Sequence, residues 1–204
     1  MTMKLYYSPG ACSLAPHIVA LEAGIPLDLV KVDLASHKTE TGADFYAVNP
    51  RGYVPALDIG QGEPLTEASV VVQYLADRKP NGGLLPPAGS IERIRVQQWL
   101  AFIATELHKA FGPLFNPATP EAMKPIILAQ LGKRFAELEK HLASRSYLMG
   151  ETFTVADAYA FTILNWANFL KVDLGAYPKL RAYQARVETR PAVQKALKAE
   201  GLVT

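Results

Sequence analysis

The spacing of the hydrophobic residues changes near residue 80 of this 204-residue chain. Before that point, short β-rich runs alternate with stretches in which apolar residues recur every three or four positions. After it, only the helical spacing is found. The pattern predicts an α/β domain over residues 1–80, a linker over residues 81–90 and an all-helical domain over residues 91–204.

The first 80 residues are predicted to alternate strands with helices. Strands are expected at 3–7, 27–34, 54–59 and 65–66, and helices at 13–23, 43–49 and 67–78. A helix joins the first two strands, which must therefore run parallel to each other. The last two strands flank the short turn GQGEP and are expected to form a hairpin.

The rest of the chain is predicted to be helical. Three prolines and three glycines between Lys79 and Ser90 indicate a linker. Beyond it, we expect a bundle of helices at 91–115, 121–143, 154–170, 178–188 and 190–199. Thr154 precedes an apolar run and Asp157 follows three positions later, which is the pattern of a capping box with Thr154 as the N-cap residue.

Composition and charge narrow the class of protein. Half of the residues are hydrophobic and a fifth are charged, as is typical of a soluble globular protein. The net charge is only +2 and basic residues alternate with acidic ones, so nucleic-acid binding is not expected. We expect neither a membrane span nor a secretory signal, because no long uncharged apolar run is present. A single cysteine excludes an internal disulfide and favours the reducing cytoplasm.

Cys12 is the first candidate for chemistry because of its position. It follows the first strand and a Ser-Pro-Gly turn, at the start of a helix whose N–H groups and dipole favour negative charge. A thiol there is expected to have a lowered pKa and to be reactive. The alternative is a small buried apolar residue. Ala15 replaces the second cysteine of a C-x-x-C pair, so a partner thiol would come from outside, and glutathione is the obvious soluble one.

Two further segments suggest a site for an extended peptide. Pro55 begins a β-rich run, and a cis bond before it would let the Val54 backbone pair with a peptide. The alternative is a plain start of a strand. Glu67 opens a helix whose first N–H groups suit a carboxylate, while its own side chain suits an ammonium group. The γ-glutamyl end of glutathione offers both groups, although an acid that stabilises only its own helix is the commoner case.

Five segments together resemble the glutathione S-transferases, specifically their bacterial beta class. In chain order they are KLYYSPGACSLAPHIVALEAG, NPRGYVPAL, LTEASVVVQYLAD, ELHKAFGPLF and FTVADAYAF. The resemblance covers nearly the whole chain. It implies a thioredoxin-like N-terminal domain, a helical-bundle C-terminal domain that forms the electrophile pocket, a homodimer, and glutathione as co-substrate with no metal.

The resemblance also implies the residues of the site. Those expected to contact glutathione are Cys12, His37, Val54, Glu67, Ala68, Thr105, Glu106 and His108. The class carries a catalytic cysteine that corresponds to Cys12, and His108 is the second catalytic candidate. Lys109 and Phe115 are expected to line the electrophile pocket. The class often has Lys at the position of His37, so Lys38 is the alternative contact for the glycyl end of glutathione.

The function that follows is conjugation of glutathione to small hydrophobic electrophiles in detoxification, with halogenated aromatics among the candidates. Cys12 is expected to be able to form a mixed disulfide with glutathione. Thiol-disulfide exchange and reductive dehalogenation are the enzymatic alternatives. A non-catalytic, stress-linked protein that binds hydrophobic ligands is the alternative from another class. No nucleic-acid or membrane partner is expected.

Overall fold

The computed structural model describes residues 2–203, which form two compact units. The first comprises residues 2–85 together with residues 190–203, and the second comprises Pro86–Thr189. The first unit is α/β and the second is helical, as the hydrophobic pattern predicts. In the structure the first unit extends to Leu85 and includes the last helix, whereas the prediction has a linker at residues 81–90 and places that helix in the second domain.

The first unit is built on a five-stranded sheet of order β3-β2-β1-β4-β5. Its strands are β1 (Met3–Tyr7), β2 (Leu27–Asp33), β3 (Lys38–Thr39), β4 (Ala56–Asp58) and β5 (Leu65–Thr66). β1 and β2 run parallel and the other neighbours antiparallel, which confirms the βα unit and the hairpin. The helix predicted at 43–49 is only a 3₁₀ turn at Phe45–Ala47. β3 has two residues, too few for an alternating pattern to show in the sequence.

Three helices complete the first unit: α1 (Leu14–Glu22), α2 (Ala68–Asp77) and, from the other end of the chain, α9 (Pro191–Ala199). α1 contacts both α2 and α9, and every residue from Leu14 to Ala20 is buried. α9 buries Val193, Ala196 and Leu197, which lie on one helix face. Its covering of α1 explains why this helix joins the first unit.

The second unit contains α3 (Ile91–Phe102), α4 (Lys109–Phe115), α5 (Lys124–His141), α6 (Val155–Leu164), α7 (Trp166–Phe169) and α8 (Pro178–Glu188). The helix predicted at 91–115 is interrupted by a π-helical segment, Ile103–His108, between α3 and α4. α6 is buried along its whole length and begins with the predicted capping box of Thr154 and Asp157. Among residues 2–203, no helix is long and apolar enough to cross a membrane.

Candidate functional site

The Cys12 thiol lies in the turn before α1, which begins at Leu14 with Ser13 as its N-cap residue. Its Sγ donates a hydrogen bond to the Val54 carbonyl oxygen over 3.1 Å, and only 9 % of the residue is exposed. Burial raises the pKa of Cys12 to about 12, and the charge of Glu67 adds to this, although the Cys12 and Ser13 N–H groups act in the opposite direction. The expectation of a lowered pKa is therefore wrong, because loss of hydration outweighs the helix start.

A buried carboxylate from the far end of the chain holds the turn that carries Cys12. Glu200, just after α9, accepts a hydrogen bond from the Gly10 N–H over 3.0 Å. Its other oxygen lies 2.9 Å from His17 Nδ1, and the Glu200 side chain is fully buried. This contact gives His17 a structural role. The role of Glu200 was missed, since no local pattern marks an acid whose partners lie 183 and 190 positions away.

Val54 and Glu67 both have unusual backbone geometry. The Val54–Pro55 bond is cis, and Val54 is buried in a cluster with Tyr6 and Phe45. Glu67 has a positive φ of 63°, which is uncommon for a residue with a side chain. Its carbonyl accepts from two N–H groups of the first turn of α2, while its carboxylate is 69 % exposed and lies 3.5 Å from Arg51 Nη1. Ala68, the first residue of α2, is buried.

His37 is packed against its neighbours rather than turned fully outward. Its ring centroid lies 4.5 Å from that of Tyr46, and its φ is 51°. A Cβ on Gly52 would come within 2.8 Å of His37 Nδ1, so only glycine leaves room for this ring. Nδ1 is buried and has no hydrogen-bond partner within the described residues. Lys38, the alternative contact for a carboxylate, is exposed on β3.

His108 is the last residue of the π-helical segment and is mostly buried in the second unit. Its Nδ1 lies 2.6 Å from the hydroxyl oxygen of Tyr159, and its ring meets the Trp166 ring edge-on at 4.9 Å. Burial lowers the pKa of His108 to about 4, and the charge of Lys109 lowers it further. The imidazole is therefore neutral at physiological pH and can act as a hydrogen-bonding group but not as a cation.

The other predicted residues of the second unit differ in how they are engaged. Thr105 Oγ1 donates to the backbone carbonyl four positions earlier, and Glu106 Oε2 lies 2.5 Å from Arg134 Nη2. Lys109 is exposed. Phe115 is 48 % exposed, and its ring meets that of Trp166 at 5.1 Å. Trp166 thus links Phe115 with His108, whereas the side chains of Thr105 and Glu106 are bonded within the helical unit.

The described part of the chain shows no cluster of side chains suited to bind a metal ion. Residues 2–203 contain no group of three or more His, Cys, Asp or Glu side chains arranged to hold a metal ion. The single thiol is free and buried.

Comparison with known proteins identifies two matching family models. Residues 10–78 match the glutathione S-transferase N-terminal domain, and residues 102–191 match the glutathione S-transferase C-terminal domain. The chain is 49 % identical over 200 residues to glutathione S-transferase GstA of Escherichia coli O157:H7, covering 98 % of this chain and 100 % of that protein.

Two solved structures extend the match to three dimensions. One is a sphingomonad glutathione S-transferase complexed with glutathione, and the other is a bacterial beta-class enzyme from Sphingomonas chungbukensis. Each is 48 % identical, with a TM-score of 0.94 over 98 % of this chain and 100 % of the other. The chain therefore belongs to the glutathione S-transferase family, whose co-substrate is glutathione, and has beta-class enzymes among its structural neighbours.

Proposed function

We propose that this protein conjugates glutathione to small hydrophobic electrophiles, with halogenated aromatics as the first candidates. The observation that carries the reaction type is the state of Cys12. With a pKa of about 12, this thiol stays protonated at neutral pH, whereas a free thiol has a pKa of about 8.5. Glutathione therefore supplies the thiolate more readily than Cys12 does.

A protonated thiol suits the role of hydrogen-bond donor to the glutathione sulfur. The single S–H of Cys12 donates to the Val54 carbonyl oxygen in the structure, and it would leave that acceptor to bond the glutathione sulfur. The glutathione thiolate then attacks the electrophilic carbon, a carbon–sulfur bond forms, and halide leaves with the electrons of the broken carbon–halogen bond. The same features disfavour thiol exchange as the main activity, because exchange needs Cys12 itself as the nucleophile.

The residues that we propose for glutathione binding each match one part of the peptide. The exposed Glu67 carboxylate pairs with the γ-glutamyl ammonium, and the N–H groups at the start of α2, including that of Ala68, receive its carboxylate. The Val54 backbone pairs with the cysteinyl residue. His37 or the exposed Lys38 meets the glycyl carboxylate. Thr105 and Glu106 are carried over from the resemblance only, since both side chains have partners within the second unit.

The second unit supplies the residues that we propose for the electrophile. Phe115 offers an exposed ring surface suited to an apolar or aromatic compound, and the buried Trp166 ring packs against it. Lys109 adds an exposed positive charge at the start of the helix that ends at Phe115. His108 supplies a neutral hydrogen bond to the reacting sulfur or to a polar group of the electrophile.

Substitution of Glu67 tests the binding assignment. We expect Glu67→Gln to weaken glutathione binding about ten- to hundredfold in calorimetric titration, because a charge-assisted hydrogen bond to the ammonium is worth roughly 1.5–3 kcal/mol. Glu63→Gln, at another acid of the same hairpin region, is the matched control and should bind as the wild type does. An unchanged dissociation constant for Glu67→Gln removes this residue from the site.

Substitution of Cys12 tests the reaction type. In Cys12→Ala, conjugation should fall only in part, since the attacking sulfur belongs to glutathione, while any thiol exchange should vanish. Oxidised glutathione should add one glutathione to the wild type: the Cys12 thiolate bonds to one sulfur, the disulfide breaks, and the second glutathione leaves as a thiolate. The mass spectrum of Cys12→Ala should show no adduct. Complete loss of conjugation in Cys12→Ala would favour the exchange reaction, and a wild type without turnover would favour a binding protein.

We also propose that the protein is a homodimer. The resemblance implies it, and both units expose large apolar side chains, among them Tyr53 at 71 %, Ile91 at 57 % and Ile94 at 54 %. Exposed apolar side chains of this size are suited to an interface. Sedimentation at micromolar concentration should give twice the chain mass of 22.3 kDa. A species of the single-chain mass alone contradicts the proposal.

A further inference from the structure

The hydroxyl of Tyr159 makes the shortest polar contact of the His108 ring. Its oxygen lies 2.6 Å from Nδ1, and the two rings are nearly perpendicular at an interplanar angle of 86°. Tyr159 is only 2 % exposed and lies on α6, which is buried along its length and capped at its start. The hydroxyl is therefore held by a rigid part of the second unit, and it fixes the orientation of the imidazole that meets it.

The chemistry of the two groups decides which one donates. A phenol is a far stronger acid than a neutral imidazole N–H, and a neutral imidazole nitrogen is a far better acceptor than a phenol oxygen. The His108 ring is neutral because burial holds its pKa near 4. Tyr159 O–H therefore donates to Nδ1, and the one ring hydrogen of His108 lies on Nε2. Within residues 2–203, Nε2 makes no hydrogen bond of its own.

The backbone around His108 does not by itself fix the orientation of the imidazole ring. His108 ends the π-helical segment, in which the usual i→i−4 hydrogen-bond register is broken, and such segments are frequent at functional sites. The backbone sets where the side chain begins but leaves the ring free to turn by half a revolution, which would put Cδ2 in the place of Nδ1 and Cε1 in the place of Nε2. The edge-on contact with Trp166 restricts that rotation only sterically. The hydrogen bond from Tyr159 is what distinguishes one nitrogen from the other.

We propose that Tyr159 is a positioning residue for conjugation: its hydroxyl holds His108 in the tautomer that carries hydrogen on Nε2, so that His108 acts as a hydrogen-bond donor and not as a base. The inference rests on the proposed function, since it takes His108 to act on the reacting sulfur or on a polar group of the electrophile. Tyr159 itself touches neither substrate. It acts through His108 alone.

Removal of the hydroxyl tests the kinetic part of this inference. We expect Tyr159→Phe to lower kcat for 1-chloro-2,4-dinitrobenzene about 2- to 12-fold, the effect of losing one hydrogen bond, with KM for glutathione unchanged. Thr162→Val is the matched control. It removes another buried hydroxyl from α6, one that bonds only the Ala158 carbonyl in the structure, and it should leave kcat as in the wild type.

The tautomer can be observed directly by ¹⁵N NMR of histidine-labelled protein at neutral pH. In the wild type, His108 should show a hydrogen-free Nδ1 and a protonated Nε2. In Tyr159→Phe, the two nitrogens should shift towards each other as both tautomers become populated, a change that a purely structural role would not produce. A protonated Nδ1 in the wild type, or an identical spectrum in Tyr159→Phe, overturns the inference.

A double-mutant comparison separates this inference from the proposed function. In a His108→Ala background, Tyr159→Phe should cause no further loss of kcat, and a full additional loss overturns the claim that Tyr159 acts through His108. A wild-type kcat in Tyr159→Phe beside a reduced kcat in His108→Ala overturns the Tyr159 assignment alone. A wild-type kcat in His108→Ala overturns the roles of both residues, while conjugation by the enzyme stands.

Discussion

The surroundings of Cys12 determine its acidity more strongly than its place near a helix start. Burial and the charge of Glu67 raise the pKa of the thiol, and the two nearby backbone N–H groups do not compensate. The outcome shows how desolvation, which costs the charged form its hydration, can outweigh a favourable dipole. At this residue, the same sulfur that looks like a nucleophile in the sequence becomes a donor in the structure.

Alkylation by iodoacetamide measures this acidity. We expect native Cys12 to react at least about 30-fold more slowly at neutral pH than Cys12 in urea-unfolded protein, because a pKa three units higher reduces the thiolate fraction more than it increases the reactivity of each thiolate. The native rate should still rise with pH beyond 10, where the rate of the unfolded protein has levelled off. Equal rates in the two states at neutral pH contradict a raised pKa.

His108 makes the stability of the second unit depend on pH. Its pKa falls from the ordinary 6.5 to about 4 on folding, so between these values the unfolded chain binds more protons than the folded one. Its contribution is therefore fully present above pH 6.5 and is lost as the pH falls towards 4. The wild type should lose roughly 1–3 kcal/mol more unfolding free energy across this window than His108→Asn does, as measured in urea. Parallel pH profiles for the two proteins would contradict this linkage.

At the scale of elements, α6 depends on one carboxylate. Asp157 accepts hydrogen bonds from the Leu148 N–H, the Thr154 N–H and hydroxyl, and the Tyr183 hydroxyl, all between 2.8 and 3.1 Å. It thus caps its own helix and also ties it to the preceding loop and to α8. Asp157 therefore does more than cap the start of α6, because it also bonds Leu148 and Tyr183 outside that helix.

Loss of this carboxylate should destabilise the protein. We expect Asp157→Ala to reduce the free energy of unfolding by about 3–5 kcal/mol, since several buried donors lose their acceptor at once. Asp157→Asn keeps one acceptor oxygen and should lose less. Asp173→Ala, at an exposed acid that only closes a turn with Gly175, is the control and should stay close to the wild type. Urea denaturation that ranks Asp157→Ala with this control would show that the network is not needed.

At the scale of the whole molecule, residues 2–85 and 190–203 form one unit, although the second unit lies between them in the sequence. Glu200, which follows α9, bonds both the turn that carries Cys12 and the His17 ring. Arg190 pairs with Glu22 over 2.6 Å. We expect Glu200→Ala to lower the free energy of unfolding by about 3–5 kcal/mol, because a buried histidine nitrogen and a backbone N–H lose their partner. Cys12 should also become more reactive towards iodoacetamide as its turn loosens. Lys198→Ala, on the exposed side of α9, should change neither property.

Much of this architecture could be predicted from the sequence, and the exceptions have physical causes. The first strand, which ends before Ser8, and the capping box at Thr154 are both marked by short sequence patterns, and the structure confirms both. The π-helical segment escaped prediction because its apolar spacing differs from that of an α-helix by a single residue. The pKa of Cys12 depends on burial, and the structural role of Glu200 depends on partners that are distant in the sequence. Neither property is encoded in a short window of residues.

The return of α9 to the first unit also sets the order in which the protein can be completed during synthesis. The ribosome releases the sheet and α1 first, yet the helix that covers α1, and the carboxylate that holds the Cys12 turn, are made only after the whole second unit. At typical elongation rates, roughly 5–20 s pass while the second unit is translated in between. Throughout that interval the side of α1 that contacts α9 lacks its cover, so the first unit cannot be completed before the second unit has been translated.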